Sequence, residues 1–538
     1  MDGRCRRWMI LVVAIWLQAL TGTNFDFSSY SSELKAALKI TQVQLNYLAV
    51  ASDLGKAFGW SSGLALLYFP LPAVLFLAAG LGSLGYGLQW TLITGWISIP
   101  YALVFVLCLS AGLSICWFNT LCFVLCIQNF TTDRSLALSL TVSFNGLSAA
   151  LYGLAANAIN GPPSSYLLLN AAIPFFASVF ALIPILHRPP PQPPQASSDR
   201  NVFLVLNTLA FLTGLYLLFH NPNSPNPFIS ALILSGAVIL LAFPLVVVAI
   251  EWAHCSNDSD GLVLYDLQKA LIVGEVVQED VESTANGWLC YFNEVTTKDR
   301  ITVLGEEHGA RRLVRRLDFW LYYISYFCGG TVGLVYSNNL GQIAQSLGQR
   351  SQTTFLVNVY SSCSFFGRLL SAAPDFFPGK IRFARTGWLA AALVPMPLVF
   401  YKMSKEEDGQ TLVVGTALIG LSSGFIFAAA VSVTSELFGP SSFAVNHNIV
   451  ITNIPLGSLI YGLLAALVYD ANGSVGVQRL CKAAATLLRD GVVVCMGPRC
   501  YGKTFLGWGC ISMLGLACGV ALYLRTRAAY RSADESGG

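Results

Sequence analysis

Residues 187–200 read HRPPPQPPQASSDR and include five prolines. Proline breaks the interior of a helix because it lacks a backbone N–H and clashes with the preceding turn. A membrane helix cannot run through this stretch, which is typical of a short extended linker. Long apolar runs lie on both sides of it. The linker therefore divides the chain into residues 1–186 and a longer second part.

The composition is that of a membrane protein. Of the 538 residues, 55% are hydrophobic and 11% are charged, and the mean hydropathy is +0.61. Soluble domains carry about 25% charged residues, so an ordinary water-soluble enzyme is excluded. The net charge is only +3 and the basic residues are scattered, so nucleic acid is not an expected partner. The lipid bilayer is the expected surrounding, and extensive disorder is excluded.

The apolar runs predict an all-α membrane protein with about 14 spans of about 20 residues each, or 12 as the alternative. Six spans precede the linker, two follow it, and six come after a polar stretch. The second span is the least regular, and residues 43–60 are interpreted as an interfacial or kinked segment leading into it. The predicted spans are 8–22, 61–84, 90–110, 112–130, 135–158, 165–186, 201–219, 228–250, 317–337, 354–373, 386–402, 411–435, 444–469 and 504–525.

This layout predicts five regions along the chain. They are an N-terminal six-helix bundle (1–186), the linker (187–200), two extra spans (201–250), a central loop (251–316) and a C-terminal six-helix bundle (317–538). A weak internal repeat supports two corresponding bundles, because LYGLAA at 151–156 resembles IYGLLA at 460–465. The central loop is acidic first and basic last, and it could recruit cytosolic partners.

The basic residues predict the orientation. Cytoplasmic loops of membrane proteins carry an excess of Lys and Arg. With the N terminus inside, 20 Lys and Arg fall on the inner side and 10 on the outer side. Both termini and the central loop are therefore expected in the cytoplasm. The count of basic residues does not distinguish the plasma membrane from an endomembrane.

Two kinds of covalent modification follow from this orientation. Three sequons occur, at Asn129, Asn257 and Asn472, and of these Asn472 is the one placed outside, in reach of glycan transfer. Three cysteines share the long outer loop, so one disulfide among them is expected if that loop faces an oxidising space. These cysteines are Cys481, Cys495 and Cys500.

Several motifs imitate enzyme chemistry. Residues 497–504, GPRCYGKT, fit the pattern of a phosphate-binding loop, but that loop needs a strand before it and a soluble helix after it. The GxSxG patterns at 59–63 and 420–424 likewise need a strand, and none is predicted there. Close packing of membrane helices at small residues explains these glycines better. The sequence predicts no enzyme, no cofactor and no metal site.

Six stretches resemble the plant nodulin-like membrane proteins of the major facilitator superfamily, the nuclear-fusion-defective-4-like group. They are GTNFDFSSYS at 22–31, DLGKAFG at 53–59, GYGLQW at 85–90, NNLGQ at 338–342, GRL at 367–369 with Asp375, and NHN at 446–448. The resemblance implies two pseudo-symmetric six-helix bundles with two extra spans between them. It supplies no substrate. One departure is that the expected inner loop after the second span, placed at 82–90, carries no charge.

The resemblance also implies which helices line the transport cavity, namely the first and fourth helix of each bundle. Their polar residues are neutral, hydrogen-bonding or aromatic. Such a lining favours a small polar or amphipathic solute over a multiply charged anion, since no Arg or Lys is expected at mid-depth. The candidates are Gln18, Asn24, Asn119, Gln128, Tyr322, Tyr326, Asn338, Ser422 and Ser423.

Ionisable residues inside the hydrocarbon are costly and usually face a cavity or a partner. Asp53 and Lys56 share a helix face, as an ion pair or as a gating or coupling pair. Asp26, at the end of the first span, is either solvated or a site for a coupling proton. Arg368 is expected to snorkel to the cytoplasmic surface and bridge to Asp375, in preference to contacting substrate.

Two more residues are gating or coupling candidates. Glu436 is expected to close a helix at the inner face, and His447 either hydrogen-bonds at a helix end or relays protons. The predicted function is a secondary active or facilitative transporter that works by alternating access, with proton coupling as an option. The alternative is a receptor or scaffold, without transport, on the same fold.

Overall fold

The structure is a computed structural model, and it describes residues 3–23, 27–40, 42–130, 133–162, 164–187, 199–219, 226–258, 300–349, 352–376, 384–405, 409–480 and 495–536. The described residues are helical or lie in turns, and they include no strand. Most of the predicted linker, most of the central loop, Asn24, Asp26 and Cys481 lie outside the described residues.

Twelve helices make up the first half of the chain. They are α1 (Gly3–Thr21), α2 (Phe27–Leu38), α3 (Gln42–Ala57), α4 (Trp60–Tyr68), α5 (Leu71–Ile93), α6 (Tyr101–Asn129), α7 (Arg134–Asn145), α8 (Ser148–Ile159), α9 (Ser165–Leu186), α10 (Arg200–Phe219), α11 (Pro227–Ala242) and α12 (Pro244–Asp258). Several neighbours, such as α7 and α8, are separated by only one or two residues, so they continue as kinked rods.

The second half begins with an irregular segment at residues 300–309. Its helices are α13 (Ala310–Leu313), α14 (Leu317–Tyr326), α15 (Val332–Ser346), α16 (Thr353–Leu370), α17 (Ala373–Phe376), α18 (Arg385–Leu393), α19 (Pro395–Met403), α20 (Gly409–Phe438), α21 (Phe443–Ile451), α22 (Asn453–Leu480) and α23 (Gly502–Ser536). A π-helical turn, Phe327–Thr331, joins α14 to α15.

The predicted boundaries of spans two to four are wrong. The span at 61–84 contains a break, because α4 ends at Tyr68 and both Phe69 and Pro70 are extended. A residue before proline is disfavoured in the α conformation, so the chain turns here. The residues taken as a lead-in form α3. The expected inner loop at 82–90 lies within α5.

The third and fourth predicted spans are also misplaced. Residues 90–110 and 112–130 are predicted as two spans, but α6 runs without a break from Tyr101 to Asn129. Gly112 is a packing position, since a Cβ there would lie 1.8 Å from the backbone oxygen of Ser52 in α3. The chain instead leaves the helix between Thr94 and Pro100, before α6.

Nine helical segments of the described residues are long and apolar enough to cross a membrane. Large apolar side chains such as Phe180, Phe228 and Leu398 stand exposed on the outside of the helices, as expected for surfaces that face lipid. The remaining predicted spans correspond to shorter or interrupted helices, so the count of 14 stays a prediction.

Equivalent glycine contacts occur in the two halves. The Cβ that Gly55 of α3 lacks would lie 2.1 Å from the backbone oxygen of Leu109 in α6. In the second half, a Cβ on Gly367 of α16 would lie 2.1 Å from the backbone oxygen of Leu421 in α20. Each crossing has a second glycine on the partner helix, Gly112 in α6 and Gly424 in α20. The separation along the chain from Gly55 to Gly112 equals that from Gly367 to Gly424. Small residues let membrane helices approach closely.

The start of α1 and the end of α23 lie at one end of the bundle, which we call the terminal end. Polar contacts join the start of α1 to the end of α23. In the first half, Arg7 of α1 pairs with Asp199, whose backbone N–H donates to the side chain of Asp133. The chain of contacts continues from the start of α7 through Ser135, Asp375, Arg385 and Glu436 to Tyr530.

Candidate functional site

A cavity of about 110 Å³ lies between the two halves. The helices that line it come from both halves, as the layout predicts for a transport cavity. The first half supplies five polar lining residues: Gln18, Lys56, Asn119, Thr120 and Asn145. From the second half come Tyr326, Arg368, His447 and Asn448. A cavity of this size admits several waters or one small solute.

Asn448 of α21 bonds to the first half inside the cavity. Its side-chain nitrogen donates to the hydroxyl of Thr120 at 2.9 Å. Its side-chain oxygen accepts from the thiol of Cys116 at 3.0 Å. Ser62 of α4 also donates to Thr120, at 2.9 Å. Because such bonds replace water at buried polar groups, this network sets the register between the two halves.

Lys56 and Asp53 form an ion pair beside the cavity. The ammonium of Lys56 donates to Oδ1 of Asp53 at 2.7 Å, and both side chains are about one-tenth exposed. The other oxygen of Asp53 accepts from the hydroxyl of Ser458 in α22 at 2.8 Å. Since Ser458 lies about 15 residues beyond the start of α21, this bond joins the halves away from the terminal end.

Arg368 points into the interior, and the expected bridge to Asp375 is wrong. The guanidinium donates to the backbone oxygen of Val142 at 3.2 Å and to Oδ1 of Asn145 at 3.4 Å. It also lies 5.6 Å from the ring centroid of Phe427. Only 6% of Arg368 is exposed, so it does not snorkel to the surface. Asp375 pairs instead with Arg385.

The two cations contradict the expected neutral cavity. Lys56 and Arg368 both line it, whereas no Arg or Lys was expected at mid-depth. The prediction treated Lys56 as the partner of Asp53 in an ion pair or in a gating or coupling pair, and Arg368 as a residue at the cytoplasmic surface. Distance along a helix gives depth only roughly, and the direction of a side chain depends on how its helix packs.

Several buried polar atoms of the cavity have no hydrogen-bond partner. They are Gln18 Nε2, Asn119 Oδ1, Asn145 Nδ2 and Arg368 Nε. Buried polar groups are nearly always paired, so unpaired groups that share a cavity indicate a place for water or a ligand. Three of the four atoms are donors.

Polar contacts between the halves also close the terminal end. Ser135 of α7 donates to Asp375 at 2.8 Å and to Ser432 of α20 at 3.3 Å. Arg385 holds Asp375 and donates to Glu436 at 2.9 Å. Together with the Asp53–Ser458 bond on the other side, these contacts join the two halves on both sides of the cavity.

The predicted cavity residues fall into three groups. Gln18, Asn119 and Tyr326 do line the cavity. Gln128 and Asn338 are exposed and are not among the residues that line this cavity. Tyr322, Ser422 and Ser423 are buried between helices: Tyr322 donates to the backbone oxygen of Ala430, and Ser423 bonds to Tyr360 at 3.0 Å. The rule that selects helices one and four says nothing about which face of each helix turns inward.

The prediction missed Asn145, Asn448, Cys116 and Thr120 as lining residues. A signal for the cations was present in the sequence, because Lys56 and Arg368 each follow one of the equivalent packing glycines, Gly55 and Gly367. His447 also lines the cavity, 5% exposed, with its ring stacked on Phe443. It lies within α21, so the helix-end interpretation does not apply.

The outer-loop residues lie away from the cavity. Cys495 and Cys500 form a disulfide that fits the expectation of one bridge in this loop. Asn472 lies inside α22, where its amide donates to the backbone oxygen of Val468 at 2.8 Å. The helix extends beyond the predicted end of that span at residue 469. Within the described residues, no cluster of three or more His, Cys, Asp or Glu suits a metal ion.

The fold is that of the major facilitator superfamily of transporters. The proton:xylose symporter XylE aligns with 96% of this chain and 95% of its own, with a TM-score of 0.54 and 11% identity. The human organic anion transporter TETRAN aligns with 96% of this chain and 100% of its own, with a TM-score of 0.51 and 10% identity.

Sequence comparison places the chain in a particular family. The model described as Nodulin-like matches residues 7–249, and the model described as NFD4, C-terminal domain, matches residues 302–532. Protein NUCLEAR FUSION DEFECTIVE 4 of Arabidopsis thaliana is 53% identical over 99% of this chain and 91% of its own length. The chain belongs to this family of nodulin-like membrane proteins.

A more distant relative carries a functional name. Probable transporter mch1 of Neurospora crassa is 22% identical over 40% of this chain and 39% of its own length. The solved structures and this relative are named as transporters and not as enzymes, which fits the expected non-enzymatic function.

Proposed function

We propose that the protein is a secondary transporter that moves a small polar or amphipathic solute across a membrane by alternating access. The observation that carries the proposal is the cavity between the two halves, which has polar and charged lining residues and contacts between the halves on either side of it. The fold and the name of the distant Neurospora crassa relative support it.

In this proposal, the two sets of cross-half contacts open in turn. Breaking the bonds of Ser135 to Asp375 and Ser432 frees the terminal end. Breaking the bond between Asp53 and Ser458 frees the opposite end. Hydrogen bonds to charged groups contribute about 1.5–3 kcal/mol each and neutral ones about 1 kcal/mol, so either set opens at a cost of a few kcal/mol while the other set holds.

Asp53 is the described carboxylate best placed to couple transport to protons. It holds both Lys56 and Ser458, so protonation weakens an ion pair and a cross-half bond at once. Proton uptake from one side then favours the state open to that side. Asp26, the other coupling candidate, lies outside the described residues.

A reversible crosslink tests alternating access. Ser135→Cys with Ser432→Cys replaces two hydroxyls 3.3 Å apart, close enough for a disulfide once both are cysteine. In proteoliposomes, with uptake screened across a solute panel with and without a pH gradient, oxidation should abolish uptake and reductant should restore it. Each single-cysteine variant and the wild type, treated identically, control for the native cysteines.

Uptake that continues at the wild-type rate in the crosslinked protein would contradict alternating access at this interface. Absence of uptake of every solute in the panel would favour the receptor or scaffold alternative. Stimulation by a pH gradient that disappears in Asp53→Asn would support coupling through that carboxylate.

A further inference from the structure

The cavity contains two cations in equivalent positions of the two halves. Lys56 follows Gly55, which packs against α6, and Arg368 follows Gly367, which packs against α20. The equivalent helices therefore deliver one positive side chain each to the same space. Both residues line the cavity.

Only one of the two cations has an acidic partner. Lys56 is paired with Asp53, three residues earlier in α3. The position equivalent to Asp53 in α16 is Phe365, a fully buried apolar residue. In the part of the chain that the structure describes, no carboxylate forms an ion pair with Arg368. Among the described residues, the cavity thus holds one positive charge without an acidic partner.

The contacts of Arg368 solvate its charge only in part. A backbone carbonyl, a long bond to an amide and an aromatic face stabilise a guanidinium, but none of them carries a negative charge. Its Nε, which is buried, donates to nothing. A lone buried charge costs several kcal/mol, which an anion beside it would offset.

We infer that the cavity binds a small organic anion with a single negative charge, a carboxylate, anchored by Arg368. This inference rests on the proposed transport function and names its substrate class. A guanidinium presents a planar pair of donors that matches a carboxylate. The unpaired Nε of Arg368, Nδ2 of Asn145 and Nε2 of Gln18 supply donors for its oxygens.

The charge and the size of the cavity narrow the class of substrate further. One uncompensated guanidinium balances one negative charge, so a dicarboxylate would leave the second charge buried without a partner. The volume of about 110 Å³ suits a short carbon skeleton. Ile115, Leu334, Val431 and Ile454 offer apolar wall for that skeleton.

The same anchor links binding to the movement of the halves. Arg368 belongs to the second half and donates to Val142 and Asn145 of the first. A carboxylate on the guanidinium competes with these acceptors, which weakens one cross-half contact when substrate binds. The halves can then separate more easily when substrate is bound than when Arg368 is held by Asn145.

Matched pairs of small molecules test the substrate class. Acetate, lactate and butyrate are each compared with their own neutral amides, at constant ionic strength, with the purified protein in detergent and in proteoliposomes. At least one carboxylate should raise the melting temperature and enter the vesicles at least tenfold faster than its amide. Malonate should be a poorer ligand than the best of the three.

Arg368→Gln should lower the apparent affinity for that carboxylate at least tenfold, whereas Arg368→Lys should retain part of it because the charge remains. Arg527→Gln, the same change at an exposed residue of α23, should behave as the wild type. If Arg368→Gln does not fold, Gln18→Leu removes a different donor, and the wild-type comparison of acids with amides stands by itself.

Three results would overturn the inference. They are amides that match or exceed their acids in the wild type, carboxylate binding that survives unchanged in Arg368→Gln, or no stabilisation and no uptake with any of the carboxylates. Uptake of neutral solutes that is blocked by the Ser135–Ser432 crosslink would leave the transporter proposal intact while rejecting the anion. Absence of uptake of both carboxylates and neutral solutes would reject the transporter proposal and the anion inference together.

Discussion

Asp53 joins two helices through one carboxylate. It receives a hydrogen bond from Lys56 in its own helix and from Ser458 in α22, while the adjacent Gly55 packs against α6. A single buried acid therefore neutralises a cation, joins the halves and lies beside the closest helix crossing of the first half.

We predict that Asp53→Asn lowers transport more than it lowers expression. Asparagine can keep the bond to Ser458, but it leaves Lys56 uncompensated, and removing one member of a buried ion pair costs up to about 3–5 kcal/mol. Uptake per reconstituted protein and the melting temperature measure the two effects separately. Transport at the wild-type rate in this variant would contradict both the structural and the coupling role.

The double variant Asp53→Asn with Lys56→Gln distinguishes those roles. If the pair is structural, removing both charges should restore the melting temperature and most of the uptake. If Asp53 carries the coupling proton, stability returns while stimulation by a pH gradient stays lost.

At the scale of helices, the crossing of α3 and α6 depends on glycine. A methyl group at Gly112 would lie 1.8 Å from the backbone oxygen of Ser52, so one helix must move. We predict that Gly112→Ala destabilises the protein by about 1–3 kcal/mol, as overpacking does. Gly80→Ala is the matched control, because nothing lies within 4 Å of the added Cβ. Equal melting temperatures for the two variants would show that the crossing tolerates the methyl group.

The segment at residues 300–309 caps the start of α21. Glu307 accepts hydrogen bonds from the backbone amides of Ser441 and Ser442 at 2.7 and 2.9 Å. Negative charge is favourable at a helix N-terminus. Burial raises the pKa of Glu307, but the hydrogen bonds from Ser441 and Ser442 outweigh it and hold the pKa below its usual value.

This cap predicts a pH-dependent contribution to stability. Because the pKa of Glu307 is lowered in the folded state, its stabilisation is present above the unfolded value of 4.5 and is lost as the pH falls through the lowered folded value. Glu307→Gln should therefore melt below the wild type at pH 7, and the difference should shrink below about pH 4. Glu306→Gln, an exposed ion-pair partner of Arg312, should have little effect at either pH. A difference that grows on acidification would contradict the cap.

For the whole molecule, we predict that both termini and the central loop face the cytoplasm. The contacts that join α1 to the end of α23 place the termini at one end of the bundle, and the distribution of basic residues favours the cytoplasm for that end. Protease-accessible tags at residues 1, 195, 285 and 538 should all report the same side. A tag at 195 opposite to the tag at 285 would remove the two inserted spans.

Glycosylation and the disulfide test the same orientation from the other side. In a eukaryotic host, any glycosidase-sensitive shift should disappear in Asn472→Gln and persist in Asn129→Gln and Asn257→Gln, and it should be partial because Asn472 lies in a helix. Cys495 and Cys500 should be oxidised, because with the termini in the cytoplasm their loop faces an oxidising compartment on the opposite side of the membrane. A shift abolished by Asn129→Gln would invert the topology.

The sequence by itself determined that the chain is a helical membrane protein of the nodulin-like family. It also indicated the Asp53–Lys56 pair, which depends on spacing within one helix. Such features are local: the length of an apolar run, a proline or an i,i+3 separation decides them. The break at Pro70 was visible for the same reason, yet the apolar residues around it favoured a continuous span.

Only the tertiary structure decided what the cavity contains. Arg368 turns toward Asn145 and not toward Asp375, Gln128 and Asn338 face outward, and Asn448 reaches Thr120 in the other half. These outcomes depend on the rotation of each helix about its axis and on which helices become neighbours. Residues hundreds of positions apart fix both through close packing, and no run of sequence encodes that packing locally.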